Sequence, residues 1–444
     1  MERWPRLPKV PGELPFWGGP VDLFQPCWDY VEPRFARAAG IYPFFHQLDA
    51  SEGPVARHEG RSLVMMGSNN YLGLTHHPAV LAAAKQAVDD YGTGCTGSRF
   101  LNGNLHTHVE LERELSEFFG YEQTLVFSSG FLANVGVIAT LGSHPGAVIF
   151  SEAANHASLI DGARLASGEV RIFEDPEDLA AQLAEGDSWE HALVVMDAVF
   201  SMTGRVSDLK AYADLKTRYG FRLYVDDAHG IGVFGPNGRG TVYEQGVQDR
   251  VDLLFGTFSK SLASLGGFVC GEERVIDYLR HKARSLIFTA GLPPSSAAAA
   301  LAALRVLRSE GPELIDRLWE NARYWKRGLE SLGYCTLHSE SPIVPAMVGS
   351  ESLAFRISKD LFDLGVFAIP VPFPVVPCGQ SLIRTSVMPT HTREHLDRAL
   401  DAFKVVKKRY DIPEFDPDNL PVTESEDWSW FMPQDGAPAE PPAE

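Results

Sequence analysis

A chain of 444 residues with 45% hydrophobic and 22% charged side chains has material for two or three structural units around buried cores, and its formal charge of −19 sets the average surface against nucleic acid and anionic lipid headgroups. The five cysteines (Cys27, Cys95, Cys270, Cys335, Cys378) share no CxxC spacing, so neither a metal site nor a disulfide framework is expected. No run approaches the roughly eighteen apolar residues of a membrane-crossing helix, and "MERWPRLPKVPGELPFWGG" lacks the apolar core of a secretory leader, so a soluble, cytoplasmic protein is expected.

In chain order, residues 1–64 read as an aromatic-rich arm carrying Trp17, Phe24, Trp28 and the Phe44–Phe45 pair, too irregular to fold alone. Residues 65–300 alternate two patterns and are expected to form a large domain. Short apolar runs predict strands at 124–127, 147–150, 169–173, 192–197, 222–227, 252–256 and 266–271. Amphipathic stretches predict helices at 78–91, 105–119, 131–141, 157–167, 177–185 and 208–219. Strands apolar on both faces, alternating with helices, indicate an α/β fold with a mostly parallel sheet covered on both sides. Residues 301–412 have fewer strands and longer helices, as in a smaller C-terminal α+β domain. No Lys or Arg follows Arg409, and the acidic, Pro-rich 413–444 is expected to be disordered apart from docking of its "WSWF" (428–431).

Ligands of open parallel sheets bind beyond the carboxyl ends of the strands, so the residues after each strand carry the functional reading. After 124–127 come Ser129 and Gly130, opening a helix whose free N–H groups suit a phosphate, although Ser-Gly is also a common helix start. After 147–150 comes His156, where a cap or core histidine is the commoner reading, and Ser201 follows 192–197. Asp226 and His229 follow the next strand; a turn-capping Asp and a satisfied loop His would look the same. Thr257, Ser259 and Lys260 follow 252–256 within "FGTFSKSLASLGGFV", where Lys260 is the lone cation among small and hydroxylic neighbours. Singly these are modest signals. Together they bring to one rim an anion site, two imidazoles, an acid and an amine, the set that pyridoxal phosphate (PLP) requires. The amine, its pKa lowered by desolvation, bonds to the cofactor, the acid keeps the pyridine nitrogen protonated, and hydroxyls and amides cradle the phosphate.

From about residue 40 to 410 the chain resembles the α-oxoamine synthases, PLP enzymes of the fold-type-I aminotransferase superfamily. The likeness rests on "NNYLGL" (69–74), "YGTGCTGSRFLNG" (91–103), "NHASLIDGAR" (155–164), "DDAHGIGVFGPNGRG" (226–240), "GTFSKS" (256–261), "FTAGLPPS" (288–295) and "LIRTSVMPTHT" (382–392). It implies that Lys260 holds the cofactor and then moves the substrate's α-proton, that Asp226 pairs with the pyridine nitrogen, and that His229 donates to the phenolic oxygen. By the same likeness His156 stacks on the ring and contacts the substrate carboxylate, Gly130, Phe131, Thr257 and Ser259 hold the phosphate, and Ser201 and Ala228 flank the cofactor. Arg384 matches the arginine that binds the amino-acid carboxylate. The family's homodimer shares its active sites, so Asn70, Tyr71 and Thr289 are expected to reach into the neighbouring subunit's site. The implied reaction is a decarboxylative condensation of an amino acid with an acyl-thioester, giving an α-amino ketone and CO₂.

Glycine- and alanine-using members commonly read Gly-Lys-Ala at the lysine, whereas serine palmitoyltransferases read Ser-Lys-Ser or Thr-Lys-Ser. This chain has "FSKS", and "GNLHTHVELE" (103–112) also looks like the serine palmitoyltransferase branch. That resemblance implies L-serine and a long-chain acyl-CoA, giving a 3-keto sphingoid base. A glycine or alanine user (2-amino-3-ketobutyrate CoA ligase or 8-amino-7-oxononanoate synthase) stays open, as does an acyl-carrier-protein donor docking on "RHKAR" (280–284). A non-catalytic partner subunit is opposed by Lys260, Asp226 and His156 all being present. Two departures stand out: Asp197 and Ala198 where the family usually has Glu and Gly, expected to shift a ring-side hydrogen bond, and the Pro- and Phe-rich 369–381, where an acyl chain would enter. The arm's aromatic residues suit that path, a peripheral membrane contact or dimer packing equally.

Overall fold

Every apolar run expected between 124 and 271 forms a strand of one sheet. The structure is a computed structural model that describes residues 22–186 and 188–423; Trp17 and "WSWF" lie outside them. Three strands come from the arm: β1 (Ala50–Ser51), β2 (Val55–His58) and β3 (Arg61–Met65). Seven follow: β4 (Gln123–Phe127), β5 (Val148–Glu152), β6 (Glu169–Phe173), β7 (Ala192–Asp197), β8 (Arg222–Asp226), β9 (Leu253–Thr257) and β10 (Gly267–Gly271). The last are β11 (Ile343–Gly349), β12 (Val366–Phe367), β13 (Ile369–Val371) and β14 (Ser381–Ser386).

The large sheet runs β4-β10-β9-β8-β7-β5-β6. Its pairs from β6 through β9 are parallel, and β10 is antiparallel to both neighbours. The reversal has a simple cause. Only residues 258–266 separate β9 from β10, too few for the dozen or so that a parallel crossover needs.

Side chains alternate between two covered faces. Leu193 and Val195 of β7 join Val137 and Leu159 from the helices Gly130–Leu141 and Ala157–Leu165. Val194 and Met196 join Leu115 and Leu209 from the helices His106–Phe119 and Leu209–Tyr219 on the other side. The predicted mostly parallel α/β sheet is therefore present, with helices on both faces.

A separate core gathers Trp325 of the 38-residue helix Pro294–Ser331, Phe403 of the helix Arg393–Tyr410, and Val344 and Ile383 of the sheet β11-β14-β13. Trp325 Nε1 donates to Thr385 Oγ1 at 2.7 Å, which satisfies the indole N–H inside that core. The arm does not stand apart: β3 pairs in parallel with β12, across 302 residues of chain. Phe44, half-buried, packs edge-on against Phe355 (5.5 Å between centroids) and His46 stacks on Phe362 (4.3 Å), while Phe45 is exposed, so only one ring of the Phe44–Phe45 pair packs on the rest of the chain. Among the described residues no helix is long and apolar enough to cross a membrane.

Candidate active site

Asp197 ends β7 and Asp226 ends β8, opposite one another in register. Thr257 ends β9, and the helix Gly130–Leu141 starts just beyond β4. Between these strand ends lies a cavity of about 230 Å³. Its lining includes Gly130, Phe131, Thr257 and Ser259 with Asp226, Ala228 and His229, and also His156, Ser201 and Lys260. A larger cleft of about 1070 Å³ lies at the opposite end of the sheet, beside the strand starts at Ala192, Arg222 and Leu253, and no lysine lines it. Chemistry rather than volume identifies the smaller cavity as the site.

The sequence builds the anion side with glycine. A Cβ on Gly130 would come within 2.9 Å of Thr257 Oγ1, and one on Gly267 within 2.5 Å of Gly130 Cα. The helix start, with its unpaired N–H groups, is thereby pressed onto the sheet beside Thr257 and Ser259. Gly267→Ala is expected to push this helix start away, lowering stability by about 1–3 kcal/mol and weakening PLP affinity together. Urea denaturation and a PLP titration test it; an unchanged midpoint and affinity would refute the close-approach argument.

The electrostatics follow from burial. Burial pushes the Lys260 ammonium down to about 8, with Asp226 and Asp197 opposing and Arg384 adding to the shift. Both carboxyls are raised by burial, Asp197 well above its ordinary value with the Asp226 charge as a further cause. Asp226 is the better held anion. Its Oδ2 accepts from Asn134 Nδ2 at 2.8 Å and its Oδ1 from Ala228 N–H at 3.0 Å, whereas Asp197 Oδ2 accepts from His156 N–H at 2.7 Å. His156 and His229 are both lowered, chiefly by burial, His229 well below the usual histidine range, so both rings are neutral near pH 7.

Four expected residues are not among this chain's cavity lining. Tyr71 was expected to reach a neighbouring copy; instead its Oη is 2.7 Å from His229 Nδ1 of its own chain, because Tyr71 is buried in the core that joins β3 and β14 to this rim. Arg384 sits one hydrogen bond behind the cavity wall, donating from Nε to the Ser201 carbonyl (2.6 Å) and from Nη2 to Asn69 Oδ1 (2.8 Å) and Tyr71 Oη (3.3 Å). Asn70 turns away, donating to Thr75 Oγ1 at 2.9 Å. Thr289, half-buried after the short helix Arg284–Ile287, is not in the cavity lining.

Asn134 and Ser158, which the strand-end reading passed over, do line the cavity. Asn134 had a signal: it is the lone amide in the apolar helix "GFLANVGVIATL", one turn after Gly130 and so on the same face. Asp197, noted only as a departure, anchors the peptide of His156.

An amine poised near neutrality, a buried acid whose charge acts on it and an anion cradle in the same cavity fit PLP in kind. Comparison with known proteins agrees. Residues 61–403 match the family Aminotransferase class I and II. The chain is 43% identical to serine palmitoyltransferase of Bacteriovorax stolpii over 84% of this chain and 89% of that protein. It is 41% identical to 8-amino-7-oxononanoate synthase of Thermoanaerobacter pseudethanolicus, over 86% and 98% respectively. A solved serine palmitoyltransferase variant from S. paucimobilis, with PLP and myriocin bound, superposes with a TM-score of 0.84 at 34% identity, covering 88% of this chain and 100% of that one.

Proposed function

Starting from the family to which this chain belongs, the α-oxoamine synthases, which are PLP-dependent acyltransferases of fold type I, we propose that it condenses L-serine with a long-chain acyl-CoA to a 3-keto sphingoid base, releasing CoA and CO₂. The observation that carries this reading is the likeness to serine palmitoyltransferases along nearly the whole chain. The lysine-loop signature carries less than its sequence suggests. Ser261, the second serine of "SKS", is buried and donates to the Ile231 carbonyl at 2.7 Å, so it anchors the loop and does not face a substrate. Alanine as the amino acid is the second reading, favoured by the 41% identity to an 8-amino-7-oxononanoate synthase.

PLP, when bound, supplies the electron sink that makes the amino acid's α-carbon acidic. The chain's residues do the rest. Asp226 would hold the pyridine nitrogen as an ion pair, and the Gly130–Phe131 helix start with Thr257 and Ser259 would hold the phosphate. His156 would lie against the ring face, and His229, steadied by Tyr71, would donate to the phenolic oxygen, with Ser201 and Ala228 flanking the cofactor. Lys260, poised near pH 8, moves the α-proton to and from the substrate carbon. Arg384 neutralises the amino-acid carboxylate. We further propose a large domain over 65–300, a small one over 301–412, and a homodimer with Asn70 and Thr289 near the subunit boundary.

Steady-state kinetics of the PLP-loaded protein with serine, alanine and glycine, each paired with palmitoyl-CoA and with a short dicarboxylic acyl-CoA, test the substrate. Serine with palmitoyl-CoA is expected to exceed every other pair in kcat/KM by about tenfold or more. A preference for alanine with the short donor would replace this reading by the second one.

A further inference from the structure

Along the cavity wall an unbroken set of hydrogen bonds links the Asp226 carboxyl to the His156 ring, and its donor directions can be assigned. Asn134 Nδ2 lies 2.8 Å from Asp226 Oδ2 and 2.8 Å from Ser158 Oγ, while Tyr224 Oη lies 2.5 Å from Asn134 Oδ1. Ser158 Oγ is 2.7 Å from His156 Nδ1, and the Ser158 backbone N–H points at the same nitrogen from 3.2 Å. A carboxylate only accepts, so the Asn134 amide must turn its NH₂ toward Asp226. Tyr224 agrees: its hydroxyl, kept protonated by burial beside Asp226 and Asp197, donates to the amide oxygen. The second amide hydrogen then goes to Ser158 Oγ, which leaves the hydroxyl's own hydrogen for His156 Nδ1.

We infer that Asn134 and Ser158 are positioning residues that set the tautomer of His156: two donors converge on Nδ1, so the ring proton resides on Nε2, the nitrogen left to donate into the cavity. One amide thereby orients both the acid expected under the pyridine nitrogen and the imidazole expected over the ring. Asp197 fixes the same histidine from its backbone side, at 2.7 Å from His156 N–H, and Asn155 holds Asp197 in turn by accepting its N–H at 3.0 Å. A ring locked at Nδ1 and at its own peptide has little freedom to rotate or exchange tautomers. Which substrate group the Nε2–H meets rests on the function proposed above; the tautomer itself does not.

The test is magic-angle-spinning ¹⁵N spectroscopy of the full chain carrying ¹⁵N-histidine, PLP-loaded and then stripped of PLP, with His156 identified by its loss in His156→Gln. The expected spectrum shows an unprotonated Nδ1 and a protonated Nε2 in both forms. Ser158→Ala and Asn134→Leu are each expected to reduce the tautomer ratio by about tenfold, the factor that one buried hydrogen bond sustains. Should Asn134→Leu fail to fold, Ser158→Ala, which removes a single oxygen, decides alone. A protonated Nδ1 in the unmodified protein, or a ratio unmoved by Ser158→Ala, overturns the assignment. Neither outcome depends on turnover, so failure here is distinct from failure of the proposed reaction.

Discussion

Lys260→Ala is expected to lower condensation activity by at least about 10³-fold and to abolish the visible absorption band of enzyme-bound PLP, while the protein stays folded. The loss is large because one side chain serves twice, first as the amine that bonds to the cofactor and then as the base for the α-proton. The fold survives because the loop around it is tied down by other groups. Thr257 donates to the Gly266 carbonyl (2.9 Å), Ser261 to Ile231 (2.7 Å) and Ser264 to Ser296 (2.7 Å). Truncation at 260 removes none of these, and circular dichroism checks that the fold persists.

The same residue has a pH signature in the unmodified protein. An ordinary lysine is almost wholly protonated until about pH 9, but burial brings Lys260 down to about 8. The neutral amine is the nucleophile, so capture of PLP by the cofactor-free protein, trapped with borohydride, is expected to rise with pH through a midpoint near 8 and level off above it. Wild-type turnover by Lys260→Ala without added amine would remove Lys260 from the reaction. A capture midpoint near that of free lysine would mean the site does not desolvate the amine.

Asp226→Asn is expected to cost about 10²–10⁴-fold in kcat with little change in shape. The substitution keeps the volume but removes the cavity-lining carboxyl of β8 proposed to hold a protonated pyridine nitrogen, and without that proton the cofactor is a poor sink for electrons. It also places an NH₂ or a weaker acceptor opposite the Asn134 amide and the Ala228 N–H, both of which now donate to the carboxylate. A second readout separates charge from geometry. Asp226 raises the Lys260 pKa, so its loss is expected to move the capture midpoint below 8. A kcat within a few-fold of the unmodified protein would show that Asp226 is not the ring's partner, and an unmoved midpoint that it does not act on Lys260.

The sequence by itself determined the alternation of strands and helices and the strand ends where chemistry collects. Those signals are local: a run such as "ALVVMD" is apolar on both faces wherever it lies, and Gly, Asp and Lys at strand ends announce themselves within a few residues. It also carried enough ordered motifs to identify the family, and the departure at Asp197 was visible as a shortened acid. Even the reversal of β10 was implicit, since too few residues follow β9 for a crossover.

What only the tertiary structure decided was which polar groups face one another over long chain separations. Tyr71 meets His229 across 158 residues, Arg384 meets Asn69 across 315, and Asn134 meets Asp226 across 92. Hydrogen bonds depend on direction as well as distance, and direction at such separations exists only once both cores have formed. That is why Ser261, part of the "SKS" signature in the sequence, proves to be tied to a backbone carbonyl inside the core, and why Asn134, read as part of an apolar helix, proves to face the acid.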